Sequence, residues 1–213
     1  MMLGRFRHIV VEGPIGAGKT SLARKLADLI GAEAILENAD ENPFLPRFYE
    51  DRRRYALPTQ LSFLLSRVEQ ARRFAQGDLF SSTSVADFIL EKDMLFARTL
   101  LDEAEFHLYR QLYEGLKPQD SAPDLVIYLQ TDPAILMERV KKRGRSYERT
   151  LNESYLVELA RAYSEFFYHY EAAPLLIVNS EHLNFVERDS DFDLLVQRIR
   201  DMRGAREFFN IGA

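Results

Sequence analysis

The segment Gly13-Pro14-Ile15-Gly16-Ala17-Gly18-Lys19-Thr20 sits between a short β-branched run, His8 to Glu12 (HIVVE), and a stretch from Thr20 to Ile30 with Leu22, Leu26, Leu29 and Ile30 at helical spacing. Strand, glycine loop and helix in that order are the context in which G-x-x-x-x-G-K-[ST] binds phosphate. Such a loop turns consecutive backbone N–H groups toward one anion, and the helix N-terminus adds its partial positive charge. Lys19 is expected to reach the β- and γ-phosphates, and the Thr20 hydroxyl to ligate Mg²⁺. Binding of ATP or GTP follows. The acceptor does not, because kinases, GTPases and motor ATPases share this loop.

The rest of the chain continues the alternation. Ala34 to Glu37 (AILE), Ser82 to Asp87 (STSVAD), Asp124 to Leu129 (DLVIYL) and Leu175 to Val178 (LLIV) read as further strands. Helical patterns lie over Pro58 to Ala75, Phe96 to Leu116, from Pro133 onward, Asn152 to Tyr170 and Asp191 to Met202. This order predicts an α/β protein in three layers, with a central parallel five-stranded sheet and helices on both faces. No repeat or linker divides the chain, so residues 1–213 are expected to form a single domain.

Composition narrows the function. A net charge of −5 argues against a general nucleic-acid-binding surface, so no nucleic-acid partner is expected. The absence of cysteine excludes disulfides and thiolate zinc sites and suits a reducing cytoplasm. The opening MMLGRFRHIVVEG carries too few apolar residues before its glycine for a signal-peptide core. No apolar run approaches the roughly 18 residues needed to cross a bilayer, so no membrane partner is expected. The chain lacks a guanine-reading N-K-x-D sequence, and 213 residues leave little room for motor accessory domains. A small-molecule kinase that uses ATP and Mg²⁺ is the leading class.

On the acceptor side the residues resemble the deoxynucleoside kinases, in particular their bacterial deoxyadenosine and deoxyguanosine kinase branch. Glu37 begins E-N-A-D-E-N-P-F-L, similar to that family's E-P-x-x-x-N-P-(F/Y)-L, with Asn38 in place of the usual proline. The resemblance makes Glu37 the general base for the acceptor hydroxyl. Strand carboxyl ends in an open α/β sheet face the ligand crevice, which agrees with that role on physical grounds. In T-Q-L-S-F-L-L-S-R, Gln60 and Arg67 are roughly 700° apart at 100° per residue and so share one helix face. The resemblance puts Gln60 on the base, Arg67 beside the reacting hydroxyl, and Tyr49, in F-Y-E-D, on the sugar 3′-hydroxyl.

The resemblance implies a three-layer P-loop kinase fold with a basic lid over about residues 141–150, and the basic run R-V-K-K-R-G-R-S-Y-E is similar to that lid. It implies that Arg139, Arg143 and Arg145 neutralise charge on the ATP phosphates, with Arg143 and Arg145 acting in catalysis, and that Glu148 contacts the sugar. One departure stands out. The family commonly carries an acid-Arg-Ser triplet after the third strand, whereas this chain reads V-A-D-F-I-L-E-K-D, with Phe88 in the arginine's place. Asp87 then stands for the acid and can hold Mg²⁺ or substrate, Asp93 for an acid that reads the base, and Arg67 or a lid arginine is expected to compensate for Phe88. An ungapped alignment instead sets Asp87 opposite the arginine and Lys92 opposite the base-reading acid.

The resemblance implies ATP-dependent phosphorylation of a deoxynucleoside 5′-hydroxyl, with purines favoured, by a homodimer packed through long helices. Two rivals remain. A nucleoside monophosphate kinase would need cations for the acceptor's own phosphate, which Arg47, Arg52, Arg53 and Arg54 could supply. A nucleotide-binding regulatory protein without turnover is the reading suggested by Phe88.

Overall fold

A computed structural model describes residues 3–76, 83–118 and 122–210. Strand β1 (His8–Glu12) leads through the glycine loop into helix α1 (Lys19–Ile30). There follow β2 (Glu33–Ile35), α2 (Leu45–Glu50), the long α3 (Arg52–Gln76), β3 (Ser84–Ala86), α4 (Lys92–Leu100) and α5 (Glu103–Leu116). The second half runs β4 (Leu125–Gln130), α6 (Pro133–Arg143), α7 (Glu153–Tyr168), β5 (Leu175–Asn179), α8 (Asp189–Asp201) and β6 (Arg206–Phe209).

All strand pairs are parallel, in the order β2-β3-β1-β4-β5-β6. The sheet therefore has six strands and not the expected five. The extra strand, REFF, is too short and too polar to announce itself, and it is defined by its pairing with β5 (Leu175 opposite Arg206). Ser82, placed in the third strand by its sequence, lies outside the described residues.

The period-2 alternation of the strands divides the core into two layers. Ile9, Val11, Leu125, Ile127, Leu129, Leu176 and Val178 face one side, where they meet Leu22 and Leu26 of α1, Leu136 and Val140 of α6, and Leu195 and Ile199 of α8. Val10, Val126, Tyr128, Leu175 and Ile177 face the other and meet Leu159, Tyr163 and Phe167 of α7. A third cluster joins α3, α4 and α5 through Leu64, Val68, Ala97 and Tyr109. Burial of both sheet faces is the reason these strands read as apolar runs.

Helix boundaries follow local chemistry. Asp132 accepts from the Ala134 N–H at 2.8 Å ahead of Pro133 at the first position of α6. Asp102 and Glu105 form a reciprocal capping box on α5. Several boundaries differ from those read in the sequence: β2 ends at Ile35, so Glu37 lies beyond the strand, and Phe96–Leu116 is divided between α4 and α5. Helix α3 starts at Arg52, so Pro58 lies inside it and leaves the Arg54 carbonyl without its usual N–H donor. The expected lid loop is mostly helical: Lys141–Arg143 form the last turn of α6, Gly144 caps it in the left-handed region, and Ser146–Thr150 form a 3₁₀ turn.

Candidate active site

With every strand parallel, the carboxyl ends open on one side, and β1 lies between β3 and β4 where the connections diverge. This is the crevice position that ligands favour in open α/β sheets. Glu12 ends β1, Glu37 lies two residues beyond β2, and Asp87 follows β3 directly.

The loop from Gly13 to Thr20 closes tightly over the sheet. A Cβ on Gly13 would lie 2.7 Å from the Leu129 carbonyl oxygen, and one on Gly16 would lie 2.8 Å from the Leu136 carbonyl oxygen and 3.0 Å from Val140 Cγ2. Gly16 also has φ of +88°, which an L side chain rarely adopts. Gly16→Ala is therefore expected to cost about 1 to 3 kcal/mol from backbone strain and contact, lowering the melting temperature by roughly 4–8 °C for a mid-range loss. A thermal melt checks this. Helix α1 begins at Gly18 with no side-chain cap and no acid in its first turn, which leaves its leading N–H groups for an anion.

Lys19 Nζ donates to the Pro14 carbonyl at 3.1 Å. Burial brings its pKa down to about 8, against the opposing pull of Glu12, and nearby Lys92 adds to the lowering. The Thr20 hydroxyl donates to Asp87 Oδ2 at 2.5 Å, and Asp87 Oδ1 accepts the Glu37 backbone N–H at 2.7 Å. The two expected Mg²⁺ ligands thus meet beside the phosphate loop. A hydroxyl and one carboxylate fit Mg²⁺, which usually fills its remaining positions with phosphate oxygens and water.

Glu37 is the centre of a charge network. Its Oε1 accepts from Arg67 Nε at 2.6 Å and lies 2.5 Å from Arg67 Nη2, while Oε2 lies 3.3 Å from Lys92 Nζ. Burial alone would raise its pKa, but Arg67, Lys92 and Lys19 overcome that and hold it at about 2. Arg67 also pairs through Nη1 with Asp93 Oδ1. Asp93 is fully buried, and burial brings its pKa up to about 6 despite Arg67.

Ile15, Lys19, Thr20, Glu37, Tyr49, Gln60, Arg67, Asp87, Arg143, Arg145 and Glu148 all line one cavity of about 460 Å³. Gly16 to Thr20 also border a neighbouring cavity of about 480 Å³, whose wall includes Arg139, Lys142, Arg143, Arg145 and residues 183–187. The phosphate loop and lid arginines stand between the two. Arg139 donates to the Ser180 carbonyl at 2.8 Å. Arg143 pairs with Glu148 at 2.5 Å, and Arg145 with Asp40 at 3.3 Å. The Tyr147 hydroxyl donates to the same Asp40 at 2.5 Å, and its ring stacks on Tyr49 at 5.9 Å between centroids. In this arrangement Arg143 and Arg145 are held by carboxylates on the acceptor side, and Arg139 by a backbone carbonyl.

Arg67 stands beside Glu37, as one of the two expected compensating cations. Asp93 is not on the cavity wall: it sits behind Arg67 and anchors it, because a fully buried carboxylate needs a paired cation. A second cation, Lys92, joins Arg67 at Glu37. The sequence reading also missed Glu12, which is fully buried. Its Oε2 accepts from the Gly13 N–H at 2.9 Å and the Tyr163 hydroxyl at 3.2 Å, and its Oε1 from the Ile89 N–H at 3.0 Å. The available signals were an acid closing an apolar strand and a charged triplet, E-K-D, set between apolar residues.

Residues 9–202 match the family described as deoxynucleoside kinase. The deoxyadenosine kinase of Lactobacillus acidophilus is 33% identical over 192 residues, covering 84% of this chain and 87% of its own. The deoxyguanosine kinase of Bacillus subtilis is 30% identical over 199 residues, covering 91% and 96%. A solved structure of the M. mycoides deoxyadenosine kinase, with the products dCMP and a flexible dCDP bound, gives a TM-score of 0.80 at 24% identity and covers 92% of this chain and 100% of that one. That likeness shows the fold. The matched span runs from β1, which carries the phosphate loop, to the residue after α8 and includes every group around Glu37, so the chain belongs to the deoxynucleoside kinase family.

Proposed function

We propose that the protein transfers the γ-phosphate of ATP to the 5′-hydroxyl of a deoxynucleoside, purines favoured, giving the 5′-monophosphate for nucleotide salvage. The observation that carries this reading is the ionised Glu37 carboxylate, which lines one cavity with Lys19, Thr20 and Asp87. A neutral hydroxyl gains from a carboxylate at that point, and a phosphate dianion is repelled by it. Tyr49, Gln60 and Glu148 offer polar contacts to sugar and base in the same cavity.

In the reaction the acceptor oxygen forms a bond to the γ-phosphorus, the bond from that phosphorus to the β–γ bridging oxygen breaks, and ADP leaves. A carboxylate held at about pKa 2 is a weak base, so Glu37 first aims the hydroxyl and takes its proton late, once the new bond has made that proton acidic. Lys19 and the α1 N-terminus hold the phosphates, and Arg143 and Arg145 turn from their carboxylates toward the transferring group. Bound at Thr20 and Asp87, Mg²⁺ would neutralise charge on the phosphate oxygens. ATP as donor, Mg²⁺ as its partner, a single domain and a cytoplasmic setting belong to this proposal. So does a homodimer, supported by Leu65 of α3 and Leu108 and Leu112 of α5, which are exposed.

The monophosphate-kinase alternative loses support. Arg47 and Arg54 lie over the Tyr55 ring and Arg52 over Tyr155, and none of Arg47, Arg52, Arg53 and Arg54 lines either cavity. ATP turnover should therefore be stimulated by deoxynucleosides and not by nucleoside monophosphates. Comparing the four natural deoxynucleosides with their 5′-monophosphates tests the reading, which fails if any monophosphate is converted faster than every nucleoside.

A further inference from the structure

Phe88 occupies the place where a third-strand arginine was expected, and its ring is 7% exposed. The Lys92 ammonium, four residues further along the chain at the start of α4, lies 5.7 Å from that ring's centroid. Lys92 is itself only 2% exposed. A lysine this buried remains charged only where carboxylates compensate for its lost hydration. Two do so: Glu37 Oε2 at 3.3 Å and Glu12 Oε1 at 3.5 Å. Because Arg67 takes Oε1 of Glu37 and Lys92 takes Oε2, the carboxylate is clamped at both oxygens. Glu12 in turn accepts the Gly13 N–H, so the same ammonium ties the start of the phosphate loop to the base.

We infer that Lys92 is a positioning residue for phosphotransfer, which acts through Glu37 by fixing that carboxylate relative to the phosphate loop and so does the work of the arginine absent at Phe88. Lys92 is absent from the cavity walls and is not assigned a contact with either substrate. The inference rests on Glu37 being the group that aims the acceptor hydroxyl. The competing account is that Lys92 only neutralises Glu12 and holds the fold.

Single-turnover and steady-state kinetics of Lys92→Met, Lys92→Arg, Glu37→Gln and the Lys92→Met/Glu37→Gln pair separate these. Lys92→Met should lower kcat about 10-fold or more, since loss of alignment by about 1 Å can cost 100-fold, with KM for ATP within about threefold of wild type. Lys92→Arg should recover most of that loss. In the Glu37→Gln background Lys92→Met should cost little more, because a residue acting through Glu37 has nothing left to position. Equal losses in both backgrounds, or a Lys92→Met kcat near wild type while Glu37→Gln is impaired, overturn the inference and leave the proposed function standing. An unimpaired Glu37→Gln removes the proposed function as well. If Lys92→Met does not fold, Glu12→Gln/Lys92→Met keeps the buried charge balanced. Measured against Glu12→Gln alone, it should still show the kcat loss, and an absent loss assigns Lys92 to Glu12 only.

Discussion

Lys19→Ala is expected to abolish phosphotransfer while leaving the protein folded. The side chain lines both cavities, where the proposed reaction brings ATP phosphates and acceptor together, and it is the only cation carried by the phosphate loop itself. Preorganised charge of this kind is worth on the order of 100- to 1,000-fold in rate. Removing it costs the fold nothing comparable. Its pKa in the protein lies at about 8, below the ordinary lysine value, because burial disfavours the charged form. The protonated side chain therefore opposes folding in full below about pH 8, and that opposition fades between about 8 and the ordinary lysine value of 10.5, where the folded protein has released a proton that the unfolded chain still holds. The alanine variant should accordingly melt at or above the wild-type temperature at pH 7. Activity above a tenth of wild type in a coupled ATP-consumption assay would count against the assignment of the phosphate loop.

Glu37→Gln is the second large effect. The substitution keeps the size and reach of the side chain but removes its charge and its capacity to accept a full proton. If Glu37 aims the acceptor hydroxyl and receives its proton, kcat should fall by roughly 10² to 10⁴. The KM for ATP should change little, because the phosphates are held by the loop, Lys19 and the helix N-terminus. The amide also removes the anion that Arg67 and Lys92 share, so part of the loss will come from rearrangement of this buried charge network. An equal loss in ATP affinity would mean instead that the Glu37 carboxylate organises the loop through Lys92 and Glu12. Near-normal kcat would remove Glu37 from the mechanism and leave Asp87 as the remaining acid at a strand's carboxyl end.

What the chain alone determined is local. The phosphate loop is legible because its function is performed by backbone N–H groups, and only glycine at positions such as 13 and 16 lets that backbone pack against Leu129 and Leu136. The inner strands are legible because burial on both faces leaves a continuous apolar run, as in Leu125–Gln130. Glu37 is legible because a carboxylate just beyond a strand of an α/β sheet faces the crevice wherever the strand goes. Strand β6 was not, since four residues carry too little pattern and their strand character comes from pairing with β5. Nor were the partners of the charged groups. Lys92–Glu37 spans 55 positions and Arg67–Asp93 spans 26. Whether Asp93 reads a base or anchors Arg67, and which cation replaces the arginine missing at Phe88, depends on which side chains the packed helices α3 and α4 bring against the end of β2. Charge pairing in a buried site is decided by distance and desolvation, and neither exists until the tertiary structure has formed.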